Sequence, residues 1–153
     1  LQIALNSSPE EGKEIISQLP VSDRIIIEAG TPLIKAYGTD GIRRLKSAWD
    51  LQIGGSLDSY IVADTKCMDR GKTEVEIAKD GGASAATVLG TAPIETINYF
   101  IAACNDLGLD SMIDTIGMEQ QFKLLRRLKK LPTVVVLHRG VDEETYHKHK
   151  PIT

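Results

Sequence analysis

Apolar positions along this chain fall into six short blocks, each followed by a longer stretch of helical period. The blocks cover residues 1–5, 24–28, 59–64, 84–89, 111–115 and 133–138. Several are continuously apolar, as in Ile25-Ile26-Ile27 and Val134-Val135-Val136, which is how strands covered on both faces of a parallel sheet read. Helices are predicted over 9–18, 33–48, 73–80, 93–107 and 118–130. Ser8 is expected to cap the first of them ahead of Pro9, with Thr91 doing the same ahead of Pro93. Gly81-Gly82 and Gly108 read as helix stops. Residues 49–59 (WDLQIGGSLDS) read as a loose connection that pivots on Gly54-Gly55.

A strand-then-helix unit thus recurs six times. Two architectures use such a repeat, an open doubly wound sheet and a TIM (β/α)8-type barrel. Asn6-Ser7-Ser8-Pro9 stands where a doubly wound nucleotide binder would carry its glycine-rich loop. Polar residues close nearly every apolar block: Asn6, Glu28, Asp64 with Lys66, Gly90-Thr91, Asp114 and His138. Barrel enzymes assemble their sites from the ends of several strands on one face, so this pattern favours the barrel. A closed barrel has eight strands and at least ~200 residues. The expectation is therefore one domain of 153 residues, an incomplete barrel of six βα units cut short at its C-terminal side.

Composition changes this picture little. Hydrophobic residues make up 42% and charged residues 25%, enough apolar surface for a real core. A net charge of -3 and a pI near 5.6 argue against nucleic acid as a partner. The densest basic run, KLLRRLKK at 123–130, reads as the solvated face of a helix rather than a phosphate-binding patch. No run is long and apolar enough for a membrane span, and no signal peptide is visible. Cys67 and Cys104 lack metal-ligand spacing and read as reduced, partly buried thiols of a cytoplasmic protein. The chain opens at Leu1 inside a strand-like run and without Met, so it is expected to be part of something longer or a trimmed form. His147 and His149 read as a solvated terminus rather than a metal site.

The chemistry concentrates in Ala63-Asp64-Thr-Lys66-Cys-Met-Asp69-Arg-Gly71. An apolar strand that runs into Asp-x-Lys-x-x-Asp must pair its charges or use them. A lysine held between two carboxylates stays protonated, and a fixed cation at a strand end suits a developing enolate or carbanion. Glu28 and Asp64 end neighbouring strands, and two readings stand for them: a shared hard cation of the Mg²⁺ kind, or an ion pair of Glu28 with Lys66. His138 suits a proton shuttle or a core-edge histidine. Arg139 suits a substrate oxyanion or a bridge to Asp142 or Glu143. Asp114 suits a sugar hydroxyl or a helix cap.

Five segments together resemble the 3-hexulose-6-phosphate synthases of the orotidine monophosphate decarboxylase superfamily. They are Leu1-Gln-Ile-Ala-Leu5, Glu28-Ala-Gly-Thr-Pro-Leu-Ile34, Ala63-Asp-Thr-Lys-Cys-Met-Asp-Arg-Gly71, Thr87-Val-Leu-Gly90 and His138-Arg-Gly-Val-Asp142. The last looks most like archaeal synthases, some of which are fused to a formaldehyde-activating domain. The resemblance spans essentially the whole chain. It implies a Mg²⁺-dependent aldol condensation of formaldehyde with ribulose 5-phosphate, or its reverse. It implies Glu28 and Asp64 as metal ligands, Lys66 as the charge that stabilises an enediolate, and His138 as the proton carrier. Asn6, Glu28, Asp114 and Arg139 would contact the sugar phosphate. Asp69 would reach a partner's site across a homodimer.

Two departures stand out. Asn6 takes the place of the family's usual Asp, and the family's seventh and eighth units are absent. Two other readings therefore stay open. One is decarboxylation of 3-keto-L-gulonate 6-phosphate or of an orotidine-type substrate. The other is a non-catalytic binding protein derived from the barrel.

Overall fold

The computed structural model describes residues 1–146. Among them the strands are β1 (Gln2–Leu5), β2 (Ile26–Ala29), β3 (Ile61–Cys67), β4 (Ala85–Leu89), β5 (Asp110–Asp114) and β6 (Val134–Val136). They alternate with α1 (Pro9–Ser17), α2 (Thr31–Ile53), α3 (Gly71–Asp80), α4 (Ile94–Leu107), α5 (Gln121–Leu125) and α6 (Val141–Tyr146). His147 and His149 lie outside the described residues.

All neighbouring strands are parallel, and their order in the sheet is their order in the chain. A doubly wound sheet reverses its order at a switch point, and this one never does. Parallel strand–helix–strand connections are right-handed as a rule, so sequential order puts the helices on one side, and the sheet curls as part of a barrel. The barrel reading therefore holds.

Alternate residues of each strand face the two sides. Outward, Ile27, Ile61, Ala63, Ala86, Val88 and Ile113 pack against Ile16, Leu45, Trp49, Val75, Ile97 and Phe100 of the helices. Inward, Val62, Ala85 and Met112 form a smaller cluster with Ile26, Tyr60 and Val136. Below it the Tyr60 hydroxyl donates to Asp110 Oδ2 at 2.5 Å, at the N-terminal ends of the strands.

Three helix expectations need correction. α2 runs on to Ile53, because Trp49 and Ile53 continue the buried stripe of Ile42 and Leu45. It is broken at Gly38 (φ 59°, ψ −146°) and stops at Gly54, whose left-handed φ of 59° suits glycine. The loose connection thus shrinks to the few residues between Gly54 and β3. α5 is much shorter than predicted. Beyond Leu125 the bonding tightens, with Arg127 N donating to Leu124 O at 2.8 Å and Leu128 N to Leu125 O at 3.3 Å. Lys129 N then donates to Asn98 Oδ1 of α4 at 2.9 Å, which pins the basic run and ends the helix. Thr91 is not a cap: α4 starts after Pro93, with no side-chain cap. Ser8 does cap α1, its Oγ accepting from Glu11 N at 3.2 Å. α6 was not predicted.

Candidate active site

The C-terminal ends of β2, β3, β5 and β6 bring Glu28, Asp64, Lys66, Asp114 and His138 to one rim of the sheet. Lys66 Nζ lies 2.8 Å from Asp64 Oδ2 and 2.9 Å from Asp114 Oδ2. His138 Nδ1 lies 2.8 Å from the same Asp114 oxygen. Asp114 Oδ1 accepts from Ile116 N at 2.9 Å, in an Asx-type turn. Asp114 is thus the hub that joins the lysine to the histidine.

The backbone of β3 makes this possible. Ala63 pairs with Ala86 and Cys67 with Val88, so three residues of β3 face the single Thr87 of β4. Within that bulge Lys66 sits at φ 45°, a left-handed conformation that is strained for a residue with a β-carbon. Strain of this kind persists only where the surroundings over-determine it. Here they do. Thr65 Oγ1 donates to Thr87 O at 2.7 Å, Lys66 N to Thr87 Oγ1 at 3.0 Å, and Thr87 Oγ1 to Asp64 Oδ1 at 2.7 Å. Thr31 Oγ1 lies 2.8 Å from both the main-chain oxygen and Oδ2 of Asp64.

Burial would pull the Lys66 ammonium down, but the hydrogen bonds and charges of Asp64 and Asp114 outweigh it and hold the group above the ordinary lysine value. Burial likewise pushes Asp114 up, and the bonds from Lys66, the Ile116 amide and His138 reverse this, leaving it below the ordinary aspartate value. For Glu28 burial wins. Its carboxyl rises against the bond it accepts from Gln2 Nε2, and the negative charge of Asp64 adds to the rise.

Several expected contacts fall differently. Lys66 pairs with Asp64 and Asp114, not with Asp69. Asp69 stands exposed on the turn after β3, its Oδ1 accepting from the adjacent Arg70 N at 2.7 Å. Glu28 makes no ion pair with Lys66 and is bonded by Gln2 instead. Asn6 is exposed just past β1, with its side-chain amide over Gly30, so a β-carbon at Gly30 would strike Asn6 Oδ1. Arg139 is half-buried beside His138. Cys67 and Cys104 are buried, and burial pushes both thiols up to about 12, so neither supplies a thiolate.

Two residues at the rim were not singled out from sequence, Thr31 and Thr87. The signal for Thr87 was present: a lone hydroxyl inside the apolar run Ala85–Leu89 must find a partner once buried.

Among the described residues no three of His, Cys, Asp and Glu converge into a metal cage. A pair of carboxylates is nonetheless a suitable half-shell for Mg²⁺, which keeps several waters and takes substrate oxygens. Glu28 is held above its ordinary value by burial and by the Asp64 charge, a repulsion that a dication between them would relieve. The residues present fit the ion.

A parallel sheet in barrel order with a carboxylate–lysine–carboxylate cluster at its strand ends defines a class, the TIM-barrel-type proteins that build their sites on that face. The comparisons narrow it. Residues 1–148 match the model of the orotidine 5'-phosphate decarboxylase / HUMPS family, and the chain belongs to that family. It is 42% identical over 147 residues to the "Bifunctional enzyme Fae/Hps" of Methanocaldococcus jannaschii, covering 95% of this chain and 36% of that protein. The chain thus spans about a third of the length of the curated relatives it matches. Among solved structures, a 3-hexulose-6-phosphate synthase superposes with a TM-score of 0.77 at 33% identity, covering 98% of this chain and 68% of that one. The Salmonella typhimurium 3-hexulose-6-phosphate synthase gives 0.82 at 29% identity over 99% and 68%. No described helix is long and apolar enough to cross a membrane.

Proposed function

We propose that the protein this chain represents is a 3-hexulose-6-phosphate synthase. It would catalyse the Mg²⁺-dependent aldol condensation of formaldehyde with ribulose 5-phosphate, or its reverse. The observation that carries this reading is the Lys66 ammonium, fixed between Asp64 and Asp114 beside Glu28 and His138. Glu28 and Asp64 would hold the ion, which when bound supplies Lewis-acid stabilisation of substrate oxygens.

The chain's own residues account for the rest. His138 removes a proton from C1 of ribulose 5-phosphate through the ring nitrogen not engaged by Asp114. Lys66 stabilises the resulting enediolate, its charge already in place and needing no reorganisation. C1 then forms a bond to the formaldehyde carbon, and the new alkoxide takes the proton back from His138. Asn6, which lies over Gly30, and Arg139, next to His138 in the chain, would contact the sugar phosphate. Asp69, exposed and accepting from the adjacent Arg70 amide, would serve a partner's site in a homodimer.

The test is aldol turnover by the full-length protein with ribulose 5-phosphate, formaldehyde and Mg²⁺. Lys66→Ala should lower kcat by roughly 10²-fold or more, the loss seen when one preorganised transition-state donor is removed. A correctly folded full-length protein with no turnover on this pair, but with turnover on 3-keto-L-gulonate 6-phosphate, would move the reading to decarboxylation.

A further inference from the structure

We propose that Thr87 is a positioning residue whose hydroxyl sets the geometry of the Asp64–Lys66 pair. Thr87 is buried, on β4, and is the single residue that faces three residues of the bulged β3. Its one hydroxyl accepts from the Lys66 amide at 3.0 Å and donates to Asp64 Oδ1 at 2.7 Å. Its carbonyl takes the hydroxyl proton of Thr65 at 2.7 Å. All three bulged residues are therefore tied to Thr87, through two different groups of it.

The consequence is geometric. Accepting from the Lys66 amide satisfies the donor that the left-handed turn at φ 45° takes out of the ladder. Donating to Asp64 engages Oδ1 and fixes the carboxylate with Oδ2 toward the Lys66 ammonium at 2.8 Å, where the Thr31 hydroxyl also bonds. The same hydroxyl orders the backbone of the cation and the rotamer of its anion. A valine in this place would keep the volume and lose both bonds. A serine would keep both.

The experiment compares Thr87→Val and Thr87→Ser in the complete chain, with two readouts. The first is hydrogen exchange at the Lys66 amide by NMR, with the Val62 and Val88 amides as internal controls. Thr87→Val should accelerate Lys66 exchange at least ~10-fold relative to the controls, and Thr87→Ser should leave it within about 3-fold of the parent. The second readout is aldol kinetics, which rests on the synthase reading. Thr87→Val should lower kcat by roughly 10²-fold while KM for ribulose 5-phosphate moves less than about 3-fold, and Thr87→Ser should restore most of the rate.

An unchanged Lys66 amide in Thr87→Val overturns the proposal, as does a kcat within about 3-fold of the parent. It is equally overturned if Thr87→Ser is as impaired as Thr87→Val, since the methyl group would then be what matters. A parent protein without aldol turnover removes the synthase reading alone, and the exchange comparison still decides. Should Thr87→Val not fold, Thr87→Ala against Thr87→Ser makes the same comparison.

Discussion

At the scale of single residues, the rim separates two carboxylates by environment. Glu28 is raised by burial, so its charged form is disfavoured in the folded chain. Stability linked to Glu28 is full below its unfolded value and is lost as pH rises through its folded value. Asp114 is depressed, so its contribution is present above the ordinary aspartate value and is lost as pH falls through its folded value. The two windows oppose one another. Glu28→Gln mimics the protonated form and should abolish only the first. With a chelator present, the variant's Tm minus the parent's should grow as pH rises above the ordinary glutamate value, because only the parent has to ionise this carboxyl in the folded chain. A difference that is flat or shrinks with pH would show that Glu28 is not held uncomfortably in its charged form.

Elements carry the next level. α3 and α4 approach closely because Gly71 opens α3: a β-carbon there would lie 2.8 Å from Thr96 O and 2.9 Å from Phe100 N, both backbone atoms. Backbone cannot step aside as a flexible side chain can, so Gly71→Ala should destabilise the fold by roughly 1–3 kcal/mol. Equilibrium urea unfolding measures this, and a change under about 0.5 kcal/mol, the size of an ordinary surface substitution, would contradict the packing account.

Element placement was largely legible in the sequence, because continuous apolar runs and helix-stop glycines are local signals. Helix ends decided by distant contacts were not. Trp49 looks like the start of a loop until its burial against the sheet is known, and the end of α5 depends on Asn98 reaching across from α4. The same divide runs through the site. Polar strand ends pointed to one shared rim, but sequence neighbours made Asp69 look like the partner of Lys66. Strand β5, far along the chain, brings Asp114 there instead. The bulge in β3 leaves no mark in an apolar pattern, because two inserted residues preserve the alternation of faces.

At the scale of the whole molecule, the position of Asp69 is the informative one. Its carboxylate is exposed, bonds its own neighbour's amide, and makes none of the rim's ion pairs. If it serves a second copy, each site needs Lys66 from one protomer and Asp69 from the other, as two-fold symmetry would arrange. Lys66→Ala and Asp69→Asn should each be nearly inactive alone. Mixed and allowed to exchange subunits, they form hybrids in which one site lacks both groups and the other has both intact. Random pairing puts hybrids at half of the dimers, so roughly a quarter of the parent's sites should recover. Recovery requires exchange, and it should appear on the timescale of subunit mixing rather than at once. Two inactive variants that stay inactive after complete exchange would place Asp69 in its own protomer's chemistry or outside the chemistry altogether, and the turn after β3 would then be a structural link between the strand and α3.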